Sequence, residues 1–179
     1  MRSPNLAIPV LETERLTMRA HRIGDLEACL AMWSDPLVTR YIGGKPSSRQ
    51  QTWSRMLNYA GQWALLGFGY WVLEEKTTGR FAGELGFADF QRDIAAPMRD
   101  VPELGFALAP YAHGKGYATE AVAAVLTWGD RHLRSPRTVC LIDEDNAASL
   151  RVVQKSGYAI FESTTFNDRP TLFLERHRK

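Results

Sequence analysis

The chain has 179 residues, 45% apolar and 23% charged, a composition that builds a single globular core without covalent staples. Lys and Arg number 22 against 20 Asp and Glu, a formal charge of +2, too small for a nucleic-acid or membrane-surface footprint. Cys29 and Cys140 sit far apart in apolar stretches, and the four histidines are scattered; buried free thiols and no metal site are expected.

In chain order, RLTMRA (15–20) alternates apolar and polar residues and predicts a strand. GDLEACLAMWSDP then places Leu26, Cys29, Leu30 and Trp33 on one helical face, with Asp25 as N-cap and Pro36 beyond the end. A second helix is predicted over 48–66. Ser48 and Gln51 have capping-box spacing, Gly67 is the stop, and Trp53, Met56, Leu57, Ala60, Trp63 and Ala64 form the stripe. The period next falls to two: 68–75, the turn KTTG and 80–90 read as a hairpin. A polar, proline-bearing loop (91–102) precedes the strand ELGFALA (103–109).

A helix follows to about Leu133, with Ala118, Ala121, Val122, Val125 and Leu126 inward. TVCLID (138–143) is a strand, Asn146 caps a short helix holding Leu150 and Val153, and Gly157 ends it. YAIFES and TLFLER close the chain as a strand pair. The order β–α–α–β–β–β–α–β–α–β–β implies an α/β (α+β) domain with a mixed sheet, and no linker or repeat divides it, so 1–179 is expected to be one domain. MRSPNLAIPV has no signal-type apolar stretch, and nowhere do 18 apolar residues run together. A cytoplasmic protein with no membrane partner is expected.

YAHGKGYATEA (111–121) joins a strand to a helix through two glycines. Backbone N–H groups and the positive helix end make such a turn an anion site, although a tight connection alone needs the same glycines. A P-loop is excluded because Gly116 and Tyr117, not Ser or Thr, follow Lys115; Thr119 where the third glycine belongs, after a hairpin and not a βαβ unit, argues against a dinucleotide fingerprint.

HGKGYATEA together with NAASLRVVQKSGY (146–158) resembles the GNAT superfamily of CoA-dependent N-acetyltransferases. TERL-x-x-R (13–19), GYWVLEEKTTG and ELGFAL are similar to its RimJ/RimL-type branch, over about Thr13 to Leu174. The resemblance implies a mostly antiparallel central sheet flanked by helices, and transfer of acetyl from acetyl-CoA to a protein N-terminus or small-molecule amine. It implies a pyrophosphate cradle at His113, Gly114, Lys115, Gly116, Tyr117, Ala118 and Thr119, with His113 where Gln or Arg is usual. It nominates Phe106 and Leu108 on a splayed strand for the pantetheine arm, the Leu108 N–H for the oxyanion, and Asn146 and Ser149 beside the arm and the sulfur. Val153 occupies the position of the family's acid tyrosine, so the resemblance passes that role to Ser149 and leaves a catalytically silent acyl-CoA-binding module as the alternative. Tyr158, further along, reads as an aromatic of the next strand.

Glu103 is the expected base, with Glu84 next; Glu120 is placed by the helix dipole. Lys155 and Arg151 are either partners of the 3′-phosphate of CoA or plain surface charge. Trp33, Trp53, Trp63 and Trp71 fall where acceptor sites are built but are at core spacing, and loop residues Asp93, Arg99 and Asp100 are expected to border that site. A monomer or homodimer is expected.

Overall fold

The structure, a computed structural model, describes residues 7–93 and 100–178; Arg99 lies outside them. The predicted first strand is half of a small hairpin, β1 (Leu11–Glu12) against β2 (Leu16–Arg19). A 3₁₀ turn (Ile23–Asp25) leads into α1 (Leu26–Trp33). Asp25 stands at the N-cap but makes no side-chain cap bond. Its carboxylate instead accepts from both Nη atoms of Arg19, 2.8 Å each, and from the Arg22 N–H at 2.6 Å. A buried guanidinium is the stronger partner for a buried carboxylate. Pro36 does not simply follow the helix: it opens a further one, α2 (Pro36–Thr39), capped by Asp35.

In α3 (Arg49–Leu66), Ser48 and Gln51 close the predicted capping box and Gly67 ends the helix at φ 75°. The predicted stripe needs correction. Leu57 is 53% exposed, Ala60 and Ala64 face solvent, and the buried face runs through Thr52, Met56, Tyr59 and Trp63. Tyr59 decides the rotation, because its ring stacks on Tyr70 with centroids 4.1 Å apart, and an aromatic pair outweighs one leucine.

The remaining elements are β3 (Tyr70–Glu75), β4 (Phe81–Ala88), β5 (Glu103–Leu108), α4 (Tyr117–His132), β6 (Arg137–Asp143), α5 (Ala147–Lys155), β7 (Ala159–Phe166) and β8 (Arg169–His177). They complete an eight-stranded sheet in the order β1-β2-β3-β4-β5-β6-β8-β7. Every neighbouring pair is antiparallel except β5–β6. The α/β class and mixed sheet are as expected; β1 and α2 are additions, both too short to leave a periodic signal.

Trp63, Trp71 and Trp128 meet edge to face, with centroids 4.7–5.5 Å apart, at the centre of the core. α4 covers them with Ala121, Val122, Val125 and Leu126. Trp33 sits apart, in a second cluster with Cys29, Met32 and Met56. Both cysteines are free and buried. Among the described residues no helix is long and apolar enough to cross a membrane.

Burial alone would raise the Asp25 carboxyl, but the Arg19 and Arg22 hydrogen bonds outweigh it and hold it below the ordinary carboxylate range. A depressed folded-state pKa stabilises above the unfolded value of about 4 and is lost as pH falls through the folded value. Asp25→Asn is therefore expected to lower stability at pH 7 and to flatten its decline below pH about 4, as read by urea unfolding at several pH values. An unchanged pH profile would remove Asp25 from the acid response.

Candidate active site

Two ladders leave the site open. β4 holds β5 through six paired positions and β8 holds β6 through seven, but β5 and β6 meet only where Glu103 faces Val139. Beyond that point they part. The Ala109 N–H donates to Ala82, so alternation assigns the odd residues of β5 to the β4 ladder. The backbone groups of Leu104, Phe106 and Leu108 therefore face β6, in agreement with the Val139 N–H bonding Pro102 O. One edge carbonyl is engaged: Leu108 O accepts from His113 Nε2 at 2.8 Å. His113 ties the end of β5 to the glycine turn, and a carbonyl partner requires that Nε2 carry the proton.

The turn itself is exposed from His113 to Gly116. Gly114 and Gly116 adopt φ of 72° and 79°, a conformation costly for any residue with a Cβ. Gly116 is the N-cap of α4 and offers no side-chain cap, so the first-turn N–H groups of Tyr117, Ala118 and Thr119 are left for another acceptor. A clamp from the other end of the chain holds this turn. Glu120 accepts from Thr13 Oγ1 (2.6 Å), Arg15 N (2.8 Å) and Arg15 Nε (2.7 Å), and Arg15 Nη1 donates to Lys115 O (2.8 Å). Glu120 thus does more than complement a dipole.

A cleft of about 300 Å³ fills the gap between β5 and β6. Phe106, Asn146, Ser149 and Glu103 all line it. Asn146 also caps α5, its Oδ1 accepting from the Ser149 N–H at 3.1 Å. Glu103 is held by Arg92, whose Nε and Nη2 reach its two oxygens at 2.8 and 2.9 Å. Leu108 and the residues of the glycine turn lie outside the cleft lining and connect to it along β5.

Val153 is in the core, and the buried Tyr158 hydroxyl is paired with Thr138 Oγ1 at 2.6 Å. Arg151 and Lys155 are exposed on α5. From the polar loop, Arg92 reaches the cleft while Asp93 and Asp100 do not.

Glu84 does not open onto the cleft. It is 0% exposed and accepts from His21 Nε2 (2.7 Å), Trp33 Nε1 (2.6 Å) and Cys29 Sγ (3.2 Å). Burial would raise its pKa, but these donors outweigh it and keep it below the ordinary range. His21, Cys29 and Glu84 offer three metal-ligating atoms within 4.8 Å, yet each already serves this hydrogen-bond cluster, and burial pushes the Cys29 thiol far up.

The sequence reading did not single out Arg55, Tyr59, Tyr70, Asp143 and Arg169, all in the cleft wall. Tyr70 reaches it because Gly105 has no side chain: a Cβ there would lie 1.9 Å from the Tyr70 hydroxyl. The glycine in ELGF was the one available signal.

The sequence model of the acetyltransferase (GNAT) domain family matches residues 15–159. The chain is 30% identical over 151 residues to an uncharacterised N-acetyltransferase of Bacillus subtilis, YoaA, covering 84% of this chain and 82% of that one. A putative GnaT-family acetyltransferase from Bordetella pertussis shares the fold with a TM-score of 0.82 at 30% identity, over 94% of this chain and 99% of that one. The ribosomal alpha-N-protein acetyltransferase RimL, solved in complex with coenzyme A, shares it with a TM-score of 0.77 at 16% identity, over 94% and 98% of the two chains.

Replacing Glu84 by Gln turns one of its two acceptor oxygens into an N–H₂ facing a donor and is expected to cost about 3 kcal/mol, measured by urea unfolding. A cost near zero would mean that the cluster around Glu84 contributes nothing to the fold.

Proposed function

The chain belongs to the GNAT acetyltransferase family, and from that premise we propose that this acetyl-CoA-dependent acyltransferase acetylates a primary amine by direct attack on the thioester. The observation that carries the proposal is the parting of β5 and β6 with Asn146 and Ser149 in the same opening. The whole chain, 1–179, acts as one domain, and TERL-x-x-R with ELGFAL aligns it with the RimJ/RimL-type branch.

In this reading the N–H groups from Gly114 to Thr119 receive the pyrophosphate. Lys115 adds positive charge and His113 contributes through the backbone it anchors. Arg15 and Glu120 keep the turn in shape before substrate arrives, which reduces the ordering cost of binding. The Phe106 backbone continues the sheet onto the pantetheine arm as a strand-like partner. The Leu108 N–H, on the same edge but beyond the cleft lining, continues that pairing toward the glycine turn. The developing oxyanion is met by the Phe106 N–H, which shares the cleft with Ser149, and one such donor contributes about 3 kcal/mol. Asn146 orients the arm with the amide nitrogen left over from capping.

The amine must arrive deprotonated. Glu103 keeps lone pairs beyond the two that Arg92 uses, since a carboxylate has about four acceptor sites; it takes the proton, directly or through a water. Ser149, whose hydroxyl has no partner among the described residues, passes a proton to the leaving thiolate and takes one back from solvent. Holding amine and thioester together supplies most of the remaining rate.

Three outcomes are expected. Gly116→Asp abolishes CoA binding by titration calorimetry, through crowding at a left-handed position and charge repulsion; normal binding would refute the cradle. Ser149→Ala lowers kcat about 10²-fold with little change in CoA affinity, and an unchanged kcat would remove it from the mechanism. Glu103→Gln lowers kcat by a similar factor of about 10², or else Glu103 only fastens Arg92. Thiol release from acetyl-CoA with a panel of amines reads the activity itself. CoA binding without turnover of any amine would leave only an acyl-CoA-binding module.

A further inference from the structure

Three guanidiniums, Arg55, Arg92 and Arg169, line the cleft against two carboxylates, Glu103 and Asp143. Arg92 takes Glu103 at 2.8 Å and Arg169 takes Asp143. Arg55 has no counter-ion among the described residues, and the segments outside them, 1–6, 94–99 and 179, contain no Asp or Glu. Its Nε is buried and makes no hydrogen bond. A buried guanidinium donor with no acceptor is costly to keep.

The side chain is nevertheless held in place. Its guanidinium lies 3.9 Å from the centroid of the Trp33 ring, and that ring is pinned from behind by its 2.6 Å hydrogen bond to Glu84. Stacking holds the planar group by its face, Tyr59 takes one contact on its edge, and the rest of the N–H edge is left for a ligand. Beside it stand Tyr59 and Tyr70, where positive charge from Arg55 opposes the upward push of burial on both hydroxyls.

We infer that the acceptor amine carries a carboxylate, and that Arg55 is the group that binds it. The inference rests on the acyl-transfer reading of the cleft and names the acceptor's class within it. One net positive charge in the wall matches a single carboxylate rather than a doubly charged phosphate. Small amino acids and peptides beginning with an acidic residue carry both a carboxylate and an amine. The carboxylate anchors one end of such an acceptor on Arg55 while its amine faces the opening between β5 and β6. Arg55 is then a specificity-determining residue, and Trp33 and Glu84 position it.

The test is thiol release at saturating acetyl-CoA with amino acids, the same amino acids as methyl esters and amides, simple alkylamines, and short peptides beginning with an acidic or a neutral residue. Carboxylate-bearing amines are expected to show kcat/KM about 10- to 100-fold above their neutral counterparts, the range of a charge-assisted contact. Arg55→Met is expected to erase that advantage by raising KM for the carboxylate-bearing amines while leaving their esters nearly unchanged; Arg55→Lys restores part of it. Preference for free amino acids assigns an α-carboxylate, and preference for acidic peptides a side-chain one; both support the inference. Equal turnover of acids and esters by the unaltered enzyme overturns it, whether or not the variants fold, and so does an equal loss on both in Arg55→Met. Turnover of no amine at all overturns the acyl-transfer reading and this inference with it.

Discussion

Everything at the site depends on two parallel strands that meet once and then separate. β5 is committed to β4 and β6 to β8, each by a full antiparallel ladder, so neither can turn to follow the other. The single meeting point, Glu103 opposite Val139, is a hinge fixed by hydrogen bonds on both sides. An open edge inside a sheet would ordinarily be a liability. Here it exposes unpaired backbone groups to a cleft that a substrate arm can fill, and the antiparallel ladders on either side hold it open before any ligand binds. His113 occupies the last carbonyl of that edge and joins it to the glycine turn.

Ion pairs stiffen the walls more than they stabilise the fold. Arg92–Glu103 and Arg169–Asp143 are half-buried pairs whose desolvation offsets much of their attraction. Their contribution is geometric, since each fixes a side chain that faces the cleft. Behind them, Glu84 is the most deeply buried charge among the described residues, and its three donors come from elements that pack against β4: the segment after β2 and two positions on α1. Moving any of these elements would strand a buried carboxylate. The cleft is thus organised by a charge that it does not contain.

Local features were legible in the sequence, and contacts across the chain were not. Ser48, Gln51 and Gly67 act within one helix end, and the caps of α3 follow from their spacing alone. The rotation of that helix does not, because it depends on Tyr70, beyond the helix and on the sheet. Asp25 had the sequence position of a cap, but Arg19 took its oxygens. The Arg15–Glu120 clamp joins residues 105 positions apart, and no periodicity signals a contact of that range. The glycine turn and the Asn–Ser pair were found through their motifs. Arg55 belongs to no motif, and on a helix reads as an ordinary surface arginine; only the cleft and the Trp33 ring beneath it distinguish it.

A crystal structure of the protein with coenzyme A bears most directly on the central claim, that the gap between β5 and β6 seats the donor. The pantetheine arm is expected in the gap and hydrogen-bonded to the Phe106 backbone, with the pyrophosphate on the N–H groups of Gly114 to Thr119 and the thiol beside Ser149. Coenzyme A bound elsewhere on the protein, or β5 and β6 closed into a continuous ladder in the complex, would contradict it.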